Sequence, residues 1–168
     1  MLQIKVPACS ETDNVKSYSF GHYQTYGINI QVECDHKCRF VYAALAALGE
    51  ENDVAAFKKT QLSQMIQKLS QRRFAIGHDA YVCSKTLLTL FSCVEKDDPS
   101  KDAFNFYLCQ MRICIEQTFG IMTGKLRILR QPFQIHLKNV GKVLMCITRL
   151  HNFCINEGNA YLNSIEDN

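Results

Sequence analysis

Apolar and polar residues alternate from Ile28 to Val32 (Ile-Asn-Ile-Gln-Val), the pattern of a strand with one buried face. A second run, FVYAALAAL at 40–48, predicts a more deeply buried strand closed by Gly49. Between them CDHKC, 34–38, reads as the turn of a hairpin. GEENDVAAFKKTQLSQMIQKLSQ then begins a helix, with Asn52 or Asp53 as cap and Val54, Phe57, Leu62, Met65, Ile66 and Leu69 as its apolar face. Arg73–Gly77 predicts a third, short strand, and Thr86–Phe91 a short helix. A polar loop around Pro99 spans 94–102. Ala103–Met122 repeats Phe104, Leu108, Met111, Ile115, Phe119 and Met122 at helical spacing, with Glu116 at the edge of the stripe. Gly124 is expected to end that helix, and KLRILRQP to extend or turn up to Pro132. A last helix from about Asn139 to Asn156 buries Val140, Val143, Leu144, Ile147, Leu150 and Cys154, and stops at Glu157-Gly158.

Hairpin, helix, strand, then helices predict an α/β architecture with a mixed sheet, three-layered. Residues 1–26 show no periodicity and read as irregular, 27–158 form the domain, and 159–168 are a short tail.

Composition narrows the picture little. The chain has 168 residues, 47% of them hydrophobic and 21% charged, which is ordinary for one folded domain with a core. The net charge of +3 does not announce a polyanion, but its layout does more. No Asp or Glu occurs between Glu116 and Glu157, where Lys125, Arg127, Arg130, Lys138, Lys142 and Arg149 all fall. The nine cysteines are odd in number and scattered, so free thiols in a reducing, intracellular compartment are expected. MLQIKVP does not read as a signal peptide, and the longest apolar run is too short to span a membrane. Cys34, His36 and Cys38 could be zinc ligands, but Cys-x3-Cys without a second pair is weak, and the turn accounts for them.

Five segments, in order, resemble the catalytic domain of PIF/Harbinger-type transposases, DDE superfamily endonucleases with an RNase H-like fold. They are YGINIQVECDHKCRF, GEENDVAAF, AIGHDAYV, IEQTFGIMTGKLRIL and ITRLHNFCIN, covering Gly27 to Gly158 approximately. The resemblance implies DNA as substrate, nuclear location, and a separate DNA-binding partner protein for target recognition. It implies Mg²⁺ or Mn²⁺ held by two aspartates at strand ends and one acid on a helix, clamping the attacking and leaving oxygens of a phosphodiester.

On that pattern Glu116 is the helix acid, and Lys125, Arg127 and Arg130 hold DNA phosphates. The first aspartate lies ahead of the segment that MLQIKVP resembles, so it and the first core strand are expected to be missing. The second should follow Gly77, where this chain has His78. Asp79 comes one residue late, and a one-residue shift on a strand turns a side chain to the other face. His78, Asp79 and Glu116 are therefore the candidate metal ligands, as an incomplete set. Asp53 reads as a helix cap, and His151-Asn152 as hydrogen-bonding partners of neighbouring elements.

Overall fold

The structure, a computed structural model, describes residues 2–6, 19–20, 25–48, 52–91 and 98–166. Their strands are β1 (Leu2–Val6), β2 (Ser19–Phe20), β3 (Thr25–Cys34), β4 (Phe40–Leu48), β5 (Ala75–Ile76) and β6 (Leu87–Leu88). Their helices are α1 (Asp53–Lys58), α2 (Gln61–Gln67), α3 (Pro99–Lys125) and α4 (Leu137–Glu166), with a 3-10 turn at Arg127–Arg130. The chain is thus a mixed α/β fold with small sheets. None of these helices is long and apolar enough to cross a membrane.

β3 is the centre. Ile28 pairs with Leu48 of β4 on one edge and with Ile4 of β1 on the other, both antiparallel. Ile28 and Ile30 point to one face, where they pack with Phe40, Met122, Phe133 and Leu144 of the main core. Asn29 and Gln31 point to the opposite face and are equally buried, because α1 covers that side. The alternation had marked these two as a solvated face; instead both faces of β3 are covered.

The strands do not form one mixed sheet. β1 to β4 make an antiparallel sheet, and β5 and β6 a separate parallel pair. Among the described residues no strand joins the two sheets.

Several expectations are corrected. Residues 1–26 are not irregular throughout, since β1 and β2 lie there. The first predicted helix is two, broken where Thr60 takes an extended conformation and its hydroxyl donates to the Phe57 carbonyl. Thr86–Phe91 holds β6, not a helix. A short apolar run does not distinguish the two by its periodicity, and pairing with β5 decides. Pro99 opens α3 at a position that needs no N–H donor, with the Asp98 side chain accepting from Ser100 N–H at 2.9 Å. Residues 94–97 of the expected loop lie outside the described residues. Neither Gly124 nor Gly158 ends its helix: no described glycine has a positive φ, and glycine in helical conformation costs only about 1 kcal/mol relative to alanine. Met65, Met111 and Leu150, placed on buried faces, are exposed.

α4 is fastened to the hairpin by its own side chains. The Asn152 amide donates to the Phe40 carbonyl and accepts from the Phe40 N–H, each at 2.8 Å. His151 is 2% exposed, and its Nε2 donates to the Cys38 carbonyl at 2.7 Å, which leaves Nδ1 buried with no partner. Replacing Asn152 by alanine strands two backbone groups at the start of β4. The expected loss is about 2–3 kcal/mol in urea unfolding, and a loss under about 0.5 kcal/mol would mean that water takes over both bonds.

Candidate functional site

The covered polar face of β3 carries a directed chain of hydrogen bonds. The Tyr81 hydroxyl donates to Gln31 Oε1 at 2.6 Å, Gln31 Nε2 donates to Asn29 Oδ1 at 3.0 Å, and Asn29 Nδ2 donates to Asp53 Oδ1 at 3.1 Å. Every link points toward the Asp53 carboxylate. The cap of α1 is Asn52, whose side chain accepts from Ala55 N–H, so Asp53 is free for this chain. Burial first, then the Asp53 charge, pushes the Tyr81 hydroxyl up against the hydrogen bond to Gln31, keeping it a donor at neutral pH. The Tyr81 ring packs on Phe57 at 5.0 Å and closes over Gly77. A Cβ at Gly77 would meet Tyr81 at 3.0 Å and Leu87 at 3.1 Å, which is why the strand ends in glycine.

Beside this chain lies a cavity of about 420 Å³, walled by β3 from Gln31 to Asp35, by Ala75–His78, and by α3 from Met111 to Glu116. Glu116 and His78, expected to act together, both line it. Asp79 does not. It stands outward, 61% exposed, against the ring of His78, whose Nδ1 also accepts from Ala80 N–H at 3.2 Å. The turn His78–Tyr81, closed by Tyr81 N–H to the His78 carbonyl, sets this orientation.

Lys125, Arg127 and Arg130 are exposed and none of them lines the cavity. Arg130 is bonded instead to the end of α3, with Nε donating to Thr123 O at 3.1 Å and Nη2 to Gly124 O at 3.5 Å. The cation that does line the cavity is Arg112, one helical turn before Glu116. Glu33 lines it too, and burial pushes its carboxyl up. Sequence reasoning missed both, along with Asn29, Gln31 and Tyr81 as a connected set. For the strand residues the alternation 29, 31, 33 was the available signal, since it puts three polar groups on one strand face.

CDHKC is a turn, with Cys38 at φ 58. Asp35 accepts from the N–H groups of Lys37 and Arg39 at 2.9 and 3.0 Å, and its other oxygen from Arg39 Nε at 2.8 Å. Burial pushes its carboxyl up, but the Arg39 side chain and these backbone donors outweigh it and hold it below the usual range. The Cys38 thiol faces Cys114 O at 3.8 Å, on α3, so the two cysteines of the turn are not set for one ion. Burial raises the Cys34 thiol, opposed by a hydrogen bond with Thr118.

Mg²⁺ or Mn²⁺ in a two-metal centre needs several hard oxygen ligands at one point. Among the described residues no three His, Cys, Asp or Glu side chains come together as such a set. Glu33, Asp35 and Glu116 share the cavity wall, but Asp35 is occupied by Arg39. The donors present do not fit two metals.

The domain is α/β, with Glu33 near the end of β3 and Glu116 on the long helix α3 lining one cleft. A family model described as DDE superfamily endonuclease matches residues 2–152, and the chain belongs to that family. No curated protein and no solved structure matches it.

Two substitutions test the geometry. Tyr81→Phe leaves Gln31 Oε1 without its donor and should cost about 1 kcal/mol of stability, read by thermal melting. Asp35→Asn should cost about 1 kcal/mol at pH 7, a figure already reduced by solvent screening. Asp35 has a depressed folded-state pKa, so its contribution is present above the unfolded value and is lost as pH falls through the folded one. The gap between wild type and Asp35→Asn therefore closes on acidification; a gap that stays constant down to pH 2 would refute the assignment.

Proposed function

We propose that this is a transposase-derived domain of the PIF/Harbinger type, RNase H-like and three-layered, that engages DNA in the nucleus. Its own residues leave the metal-dependent phosphodiester chemistry of that ancestry incomplete. The family match over residues 2–152 supports the origin. The observation that carries the impairment is the strand end after Gly77. There His78 faces the cavity that Glu116 lines, while the nearest carboxylate, Asp79, is directed away from it.

In this reading Glu116 is the remaining catalytic acid by descent. His78 is a poor substitute, since imidazole suits softer ions than magnesium. A separate DNA-binding protein would supply target choice.

A second reading is a module that binds DNA or protein without cutting. It is favoured by the exposed Lys125, Arg127 and Arg130, which stand off the cavity where a phosphate backbone could reach them.

Calorimetry with Mn²⁺ and Mg²⁺ on wild type, His78→Asp and Glu116→Ala separates these readings, together with nicking of supercoiled plasmid. The expectation is no nicking by wild type, and Mn²⁺ affinity raised about tenfold or more in His78→Asp but abolished when Glu116→Ala is added. Nicking by wild type that depends on Glu116 would overturn the impairment. Replacing Lys125, Arg127 and Arg130 together by alanine should lower the salt slope of DNA binding by about 2–3. Salt-independent or absent DNA binding would leave the protein-interaction module.

A further inference from the structure

Three thiols meet where the hairpin turn lies against α3. Cys34 ends β3, Cys38 follows in the turn, and Cys114 lies on the facing stretch of helix. All three are free and half-buried.

The contacts that gather them run through one helical turn. Thr118, fully buried, donates from its hydroxyl to the Cys114 carbonyl at 2.7 Å, and its side chain is also hydrogen-bonded to Cys34. Residues four apart on a helix stand one above the other, so the Cys34 thiol sits beside the turn that carries Cys114. Of the ionisable groups around Cys34, Cys114 acts on it most strongly, ahead of Cys38 and of its chain neighbour Asp35. The Cys38 thiol is engaged differently, donating to the Cys114 carbonyl at 3.8 Å and to Gln117 Oε1 at 3.9 Å. Cys34 and Cys114 both line the cavity beside Glu33 and Glu116, and Cys38 does not.

We propose that Cys34 and Cys114 are a redox-modification site, a thiol pair that hydrogen peroxide closes to a disulfide. The Cys114 thiolate attacks one peroxide oxygen, the O–O bond breaks, and hydroxide leaves and takes up a proton as water, giving a sulfenic acid. The Cys34 thiol then attacks that sulfur, the S–S bond forms, and the hydroxyl leaves with the Cys34 proton as a second water. Two thiols lose two electrons and one peroxide is reduced to two waters. Burial keeps Cys34 a thiol, which suits it to the second step. The bond ties the end of β3 to α3, with Glu33 next to one sulfur and Glu116 two residues past the other, so oxidation fixes two walls of the cleft to each other. Low-molecular-weight thiols reopen it by exchange. The inference goes beyond the proposed function and does not depend on the domain acting on DNA.

The test treats the whole reduced chain with a small molar excess of hydrogen peroxide, alkylates it, and maps its peptides by mass spectrometry without reduction. A linked Cys34–Cys114 peptide is expected in most molecules, while the exposed Cys83, Cys109 and Cys146 stay alkylated. The bond closes a long loop, so the oxidised chain should melt about 5 °C or more above the reduced one, and dithiothreitol should reverse the shift. Cys34→Ser should abolish the shift and leave Cys114 as a sulfenic acid that dimedone traps. Cys38→Gly, at a φ of 58 that favours glycine, should keep both linkage and shift. Cys38 linked to either of the others as the main product, scattered pairing that includes the exposed cysteines, or no linkage would each overturn the proposal.

Discussion

β3 has to bury both of its faces, and the rest of the molecule is arranged around that requirement. Its apolar face needs only bulk, which α3 and α4 supply through Met122 and Leu144. Its polar face is more demanding, because buried amides without partners cost about 1–3 kcal/mol each. Asn29 and Gln31 meet the demand by bonding one to the other and passing the remaining donors and acceptors to Asp53 and Tyr81. The network thereby fixes where α1 begins and where the loop after β5 folds back. Two elements distant in sequence are placed by the polar needs of one strand.

The same network separates the two roles that acids play here. Asp53 receives a hydrogen bond and works structurally, and Asp35 is consumed by its own turn. Glu116 has no such bond among those described and faces the cavity from α3, beside Arg112 and Ile115. Of the four carboxylates nearest the cleft, Glu116 and Glu33 are those the fold leaves available. The chain belongs to the DDE superfamily endonuclease family, and among the described residues no three His, Cys, Asp or Glu side chains converge.

Much of the scaffold was legible in the residues. Ile28–Val32, the CDHKC turn, the α3 stripe and the α4 face follow from periodicity and turn chemistry, which act locally. Asn152 was legible as a structural residue, although its target on Phe40 was not. The failures lie where a distant segment decides. Leu87 and Leu88 became a strand because Ala75 and Ile76 lie beside them, and Asn29 and Gln31 were buried because α1 crosses them. Glu116 and His78 both line the cleft, and the turn His78–Tyr81, not the two-residue period of a strand, directs Asp79 away from it. Arg112 carries no local mark: a cation on a helix is exposed in most proteins, and only the cleft gives it and Glu33 a common address.

Arg130 folds back to hold the last carbonyls of α3, and so turns the helix into a ruler. The basic turn is thereby tied to the helix that carries Glu116. Nine residues separate Glu116 from Lys125, a rise of about 13–14 Å and a rotation of about half a turn, so the two stand on opposite sides of α3. Lengthening or shortening α3 by a single residue between them would alter that rise and also rotate Lys125 relative to Glu116 by about a quarter turn or more.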